Sequence, residues 1–167
     1  MYKKFIIVLL LCIITSCAKE DSADNDFAPT VILISLDGFR WDYRNKADTP
    51  NLDILLENGV NSESFIPVFP SKTFPNHLSI VTGSYPENHG ILSNDMYDPE
   101  WDADYYIGEN SAPVQEGRWY DADPIWVTAE KQGKITGTYF WPGSEAEING
   151  IRPSYYGVYD GGITNEN

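Results

Sequence analysis

Cysteine and histidine are nearly absent from this sequence: Cys12, Cys17, His77 and His89 are all that its 167 residues contain of either. Both cysteines lie at the extreme N-terminus, so no structural disulfide is available to the folded part. Basic residues are also few, 11 Lys+Arg against 25 Asp+Glu, for a formal net charge of -14. That balance excludes binding to a nucleic-acid duplex, which needs a basic face to neutralise phosphates. The plain consequence of the acidity is a solubilising surface. An anionic substrate bound by so acidic a chain needs metal cations to reverse the local field. Repeats and low-complexity tracts are missing, and the length suits one ordinary domain with a sizeable core.

What is present begins with a targeting segment. Lys3 and Lys4 precede FIIVLLLCII, residues 5–14, an apolar region too short to span a bilayer. Ile14-Thr15-Ser16-Cys17 resembles a bacterial lipobox. Residues 1–16 are therefore expected to be a lipoprotein signal peptide, with Cys17 the lipidated first residue of the mature protein. Residues 17–29 are small, polar and acidic, and read as a flexible tether. The expected location is extracytoplasmic, with the lipid on Cys17 holding the protein at a bacterial membrane, facing the periplasm or at the cell surface.

The folded part is expected over residues 30–167. Val31 to Leu36 is a continuous apolar, β-branched run, the pattern of a strand buried on both faces of a parallel sheet. Asp37 and Gly38 end it, which places an acid on the strand edge where open α/β sheets bind ligands. Thr49 as cap, Pro50 at the first helical position and Gly59 as stop predict a helix, with Leu52, Leu55 and Leu56 on one face. VNSESFIPVF reads as a second extended segment. A helix is predicted from about Pro75 to Thr82, closed by Gly83. Residues 93–123, rich in Asp, Tyr, Trp, Gly and Asn, read as an irregular aromatic surface insertion. PIWVTAEKQ predicts a helix stopped by Gly133, KITGTYFW a third strand, and the remainder reads as loop. Alternating strands and helices indicate an α/β fold with a mostly parallel sheet. Three visible strands are fewer than a sheet usually has, so the chain is expected to be the front part of a larger domain.

VFPSKTFPNHLSIVTGSYPENHGIL, residues 68–92, carries the chemistry. Pro75 at the first helical position places Thr73 at a helix N-terminus, where unpaired N–H groups and the dipole favour an anion by about 0.3–1 kcal/mol at an exposed site. That is too little to make an alkoxide, since each pKa unit costs about 1.4 kcal/mol. A metal ion is the adequate agent, and Asp37 offers a hard oxygen ligand for it. Local pattern alone is equally compatible with Thr73 as a helix cap and Asp37 as a turn residue.

The blocks VILISLDGFR, PSKTFPNHLSIVTGSYPENHGI, NDMYDP, DPIWVTAEKQG, TYFWPGSE and INGIRPSYY, in this order, resemble the nucleotide pyrophosphatase/phosphodiesterase family of the alkaline phosphatase superfamily. The resemblance implies an alkaline-phosphatase-like three-layer α/β sandwich, present here as an N-terminal partial domain. It implies a hydrolase of phosphodiester or phosphoanhydride bonds in nucleotides, working with two zinc ions through a covalent threonine intermediate. By this resemblance Thr73 is the nucleophile and a metal contact, Asp37 a metal ligand, and Asn94 the amide that donates to a phosphate oxygen. Phe74 matches the residue that stacks on a nucleobase, and Tyr159 resembles the second face of that clamp. Lys72 adds attraction for phosphate and Trp141 lines or supports the pocket. His77 and His89 match structural positions and not ligands.

A dinuclear zinc site needs about six protein ligands, and no Asp-His pair with ligand spacing occurs in this sequence. The expectation is that these residues alone cannot hold both metals and are essentially inactive. Thr-Phe-Pro-Asn-His at the site excludes the sulfatase pattern, and Thr73 with Asn94 favours diesters over monoesters. Two other readings stay open. One is a phospholipid or choline-phosphate ester hydrolase of the same family. The other is a non-catalytic surface lipoprotein that uses the aromatic pocket for binding.

Overall fold

The computed structural model describes residues 29–108 and 111–162. Cys17, the signal peptide and nearly all of the tether fall outside the described residues. The chain divides after Leu36 into two units. In the first, residues 29–36 form no strand, and Val31, Ile32 and Ile34 are exposed. This corrects the expected buried strand over Val31 to Leu36. An apolar β-branched run becomes a buried strand only where neighbours complete its ladder and cover both faces, and the strand ladders among the described residues do not include it.

The second unit holds the regular elements. A 3-10 turn at Tyr43–Lys46 precedes α1, Pro50–Asn58, with Thr49 at its cap and Gly59 at its end as the sequence predicts. No α1 residue is fully buried; Leu52 and Leu56 are half-buried and Leu55 is exposed. The expected extended segment that follows is irregular, and Phe65, Ile66 and Phe69 are exposed. Helix α2 runs Thr73–Thr82 and ends where Gly83 takes a left-handed φ of 65° and donates its N–H to the Ser79 carbonyl. Glycine adopts that conformation without the clash a Cβ would bring. The helix starts two residues earlier than expected. Pro75 sits inside the first turn, where it lacks only an N–H that would have no intrahelical partner.

A four-residue helix α3, Pro86–His89, leads into the hairpin of β1, Asp95–Asp98, and β2, Ala103–Tyr106. These strands pair antiparallel with Asp95 opposite Tyr106 and Asp98 opposite Ala103. Helix α4, Ile125–Lys131, is followed by β3, Gly137–Tyr139, which pairs in parallel with β4, Tyr155–Gly157. The predicted third strand is thus present, and the tail that reads as loop contributes its partner. Among the described residues the sheet consists of these two ribbons, one antiparallel and one parallel.

The core draws on Leu78 and Val81 of α2, Trp126 and Val127 of α4, and Ile91, Tyr105, Val114, Trp119, Tyr120, Ala146 and Ile148. Tyr105, Trp119 and Tyr120 all come from the segment expected to be a surface insertion. Their rings meet edge to face, with centroids 5.4 Å apart for Tyr105–Trp119 and 6.4 Å for Tyr105–Tyr120. Polar neighbours in sequence hide this role: Pro99, Glu100 and Asp102 help form the hairpin turn, while Tyr105, Trp119 and Tyr120 turn inward and bury their large area. Helix α2 therefore has one face fixed by Leu78 and Val81, and its N-terminal end is only half-buried.

Candidate active site

Thr73 opens α2 and its hydroxyl donates to Asp37 Oδ2 across 3.0 Å. Thirty-six positions apart in sequence, the two are brought within one hydrogen bond. Phe74 follows, and its backbone N–H, which has no partner inside the helix, donates to Asn94 Oδ1 at 3.0 Å. With its carbonyl oxygen so engaged, Asn94 has its amide NH2 as the donating end. The hairpin fixes Asn94 in turn, because its backbone carbonyl accepts the Ile107 N–H at 3.2 Å, just beyond the β1–β2 ladder. A hydroxyl, a carboxylate and an oriented amide thus converge at one helix N-terminus.

Two elements support this corner from behind. His77 is buried, and its Nδ1 lies 2.7 Å from the Thr73 carbonyl. A carbonyl only accepts, so Nδ1 carries the proton. Trp141 sets its ring edge-on to His77, centroids 5.3 Å apart, and donates its indole N–H to the His77 carbonyl at 3.2 Å. Trp141 is therefore tied to the site through His77. His89 is 1% exposed and lies against α2, with Nε2 3.1 Å from Ser79 Oγ and 3.2 Å from the Pro75 carbonyl. The Ile91 N–H points at its Nδ1 at 3.3 Å.

The remaining candidates each have neighbours of their own. Lys72 caps α2 through its backbone, without a side-chain capping bond, and is exposed. Phe74 is half-buried and meets Tyr105 edge-on at 6.2 Å. Tyr159 lies instead against Phe140, centroids 5.8 Å apart, and its N–H donates to Glu145 Oε1 at 2.8 Å. Each of the two clamp rings has its own aromatic neighbour. Two residues went unmarked at the sequence level. Glu145 holds the Tyr159 backbone, and Asn76 bonds to the segment ahead of Thr73. Only the amide of Asn76, one turn into a proline-bearing helix start, hints at that role.

Helices and short strands in this order form a partial α/β domain of the alkaline-phosphatase-like fold. The model of the type I phosphodiesterase / nucleotide pyrophosphatase family matches residues 31–165, and the chain belongs to that family. It is 47% identical over 137 residues to human ectonucleotide pyrophosphatase/phosphodiesterase family member 1, covering 81% of this chain and 15% of that protein. It is 41% identical over 161 residues to the bis(5'-adenosyl)-triphosphatase enpp4 of Xenopus laevis, covering 96% of this chain and 34% of the relative. The solved structure of murine ectonucleotide pyrophosphatase/phosphodiesterase 5 superposes with a TM-score of 0.72 at 37% identity, over 78% of this chain and 35% of that one. An inactive threonine-to-alanine variant of the murine protein in complex with AMP superposes with a TM-score of 0.73 over 79% of this chain. The chain thus spans between 15% and 35% of the length of these relatives.

The family resemblance implies zinc, and the donor chemistry can be tested against it. Asp37 Oδ2 and Thr73 Oγ1, 3.0 Å apart, are hard oxygens that fit as part of a ligand set. Among the described residues no group of three or more His, Cys, Asp or Glu side chains stands close enough to complete one.

Proposed function

We propose that the protein to which this chain belongs hydrolyses phosphodiester or phosphoanhydride bonds in nucleotides, with Thr73 as the nucleophile. The observation that carries the reading is the 3.0 Å hydrogen bond from the Thr73 hydroxyl to Asp37 at the start of α2, beside an Asn94 amide whose carbonyl end is already occupied. In the first step the Thr73 hydroxyl gives up its proton to solvent, its oxygen bonds to phosphorus and the bond to the leaving oxygen breaks. The leaving oxygen takes a proton from solvent where it needs one, and the nucleotidyl group stays esterified to Thr73. Water then attacks phosphorus and gives up a proton, the bond to Thr73 breaks, and the Thr73 oxygen takes up a proton to restore its hydroxyl. Asp37 orients the hydroxyl. The Asn94 amide donates to a phosphoryl oxygen as its charge grows, an interaction worth about 2.7–4 kcal/mol in comparable anion holes. Phe74, at the second helical position, offers a ring face for the base; stacking contributes about 1–3 kcal/mol per base. Tyr159 is the second stacking ring, Lys72 adds positive charge near the phosphate, and Trp141 supports the wall through His77.

Asp37 and Thr73 would hold part of a zinc site, and the ion would supply positive charge that favours loss of the Thr73 proton near neutral pH. The described residues bring together too few ligands for two zinc ions, so a polypeptide of residues 1–167 should be inactive; elemental analysis finding two zincs per chain of this length overturns that expectation. A nucleotide substrate is supported by the AMP complex of the murine relative. The location proposed from the sequence is extracytoplasmic, with Cys17 lipidated, and a Cys17→Ala form that still partitions with membranes refutes it.

The decisive experiment compares full-length protein with Thr73→Ala and Asp37→Asn on a nitrophenyl nucleotide ester and a nitrophenyl choline-phosphate ester. Turnover of the nucleotide ester should vanish without the hydroxyl. Undiminished turnover by Thr73→Ala removes the proposal, and preference for the choline ester reassigns the substrate class.

A further inference from the structure

Asn76 makes three hydrogen bonds to the six residues that lead into α2. Its Oδ1 accepts the Val68 N–H at 2.8 Å, and its Nδ2 donates to the Pro70 carbonyl at 3.1 Å and to the Lys72 carbonyl at 2.8 Å. One acceptor and both amide hydrogens are thereby used on alternate residues of one bent stretch, Val68, Pro70 and Lys72. The Lys72 N–H closes the turn onto Pro70 O at 2.8 Å, and Lys72 O also receives the first helical bond, from Asn76 N at 3.2 Å. Burial does little for this segment, since Phe65, Ile66 and Phe69 are exposed, Phe69 by 92%. The polar contacts of Asn76 take its place.

The stereochemistry selects this residue. Aspartate has the shape but sets an oxygen against two carbonyls, glutamine is one methylene too long, and serine or threonine brings a single donor. Any motion of the Lys72 carbonyl rotates the Lys72–Thr73 peptide, and with it the Thr73 Oγ1 that reaches Asp37 at 3.0 Å.

We propose that Asn76 is a positioning residue: a side-chain amide that clamps residues 68–72 and thereby aims the Thr73 hydroxyl. The inference rests on the functional reading above. Misplacing a reacting group by about an ångström costs on the order of 100-fold in rate, so loss of the clamp should lower kcat by roughly that factor while KM stays within about threefold.

The test uses full-length protein carrying Asn76→Ala and, as a near-isosteric partner that keeps the Val68 acceptor, Asn76→Asp. Two readouts are taken: kcat and KM on a nitrophenyl nucleotide ester, and hydrogen exchange of the peptide spanning residues 66–72. The clamp predicts faster exchange in that peptide and a fall in kcat without a matching rise in KM, with Asn76→Asp affected through its two lost donors. Unchanged exchange overturns the clamp. Faster exchange with kcat preserved, or a loss confined to KM, overturns the positioning role. If Asn76→Ala does not fold, the same outcomes are read from Asn76→Asp. Thr73→Ala is assayed alongside: turnover without that hydroxyl sinks the functional reading, and the exchange result still decides the clamp.

Discussion

Replacing His89 by leucine tests how α2 is held. Nδ1 accepts the Ile91 N–H, which puts the ring proton on Nε2, facing Ser79 Oγ and the Pro75 carbonyl. Leucine strands the Ile91 N–H, on a fully buried residue, whereas the Pro75 carbonyl loses a second contact and keeps its partner inside α2. A buried group left unpaired costs about 1–3 kcal/mol, so the variant should lose about 1–3 kcal/mol. That is a large share of the 5–15 kcal/mol typical of a domain. The same residue links stability to pH. Burial is the main influence and pushes the His89 pKa below its ordinary 6.5, against smaller opposing effects from the Pro75 and His89 backbone and Asp121. The folded state then prefers the neutral ring, and the unfolded state takes up the proton first. Stability is unaffected above about pH 6.5, falls as pH drops below it, and levels off below the depressed folded value. The total loss is about 1.4 kcal/mol for each unit of depression. Urea unfolding followed by tryptophan emission, from about pH 8 to about pH 5, measures both effects. A leucine variant within about 0.5 kcal/mol of the parent, or one that keeps the parent's slope below pH 6.5, refutes the reasoning.

Three further outcomes are expected. Glu130 gathers the N–H and hydroxyl of both Thr136 and Ser154 on one carboxylate oxygen, tying α4 to the starts of β3 and β4, and these bonds hold its pKa at about 2 against an ordinary 4.5. Because the folded value is the lower one, the contribution is complete above pH 4.5 and is lost as pH falls toward 2; Glu130→Ala should abolish that acid dependence and speed proteolysis near β4. A Cβ on Gly117 would stand 2.0 Å from the Glu147 carbonyl oxygen, so Gly117→Ala must displace backbone and should cost at least about 1–3 kcal/mol, read as a lowered Tm. Tyr120 donates its hydroxyl hydrogen to the Val114 carbonyl at 2.8 Å, which leaves Tyr105 as the donor in the 3.2 Å bond between the two hydroxyls. Tyr120→Phe strands both the Val114 carbonyl and the Tyr105 hydroxyl, and should destabilise by about 1–3 kcal/mol more than Tyr105→Phe; equal losses contradict that assignment.

The sequence alone determined what depends on short range. The helix at 50–58 follows from Thr49, Pro50 and Gly59, and the ends of α2 and α4 follow from Gly83 and Gly133, because caps and stops are set within one turn of chain. Block order was enough for the family, and the types of residue named at the site, a hydroxyl, a carboxylate and an amide, were legible as chemistry. Tertiary structure alone decided the rest. It placed Thr73 within 3.0 Å of Asp37 and set Asn94 against the Phe74 N–H, contacts that span 36 and 20 positions and leave no local trace. It also turned Tyr105, Trp119 and Tyr120 from an apparent surface insertion into core, and left Val31 to Leu36 without a ladder. The physical reason is the same in both cases. Whether an aromatic or β-branched residue is buried depends on which distant neighbours arrive to cover it, and its own run of sequence does not carry that information.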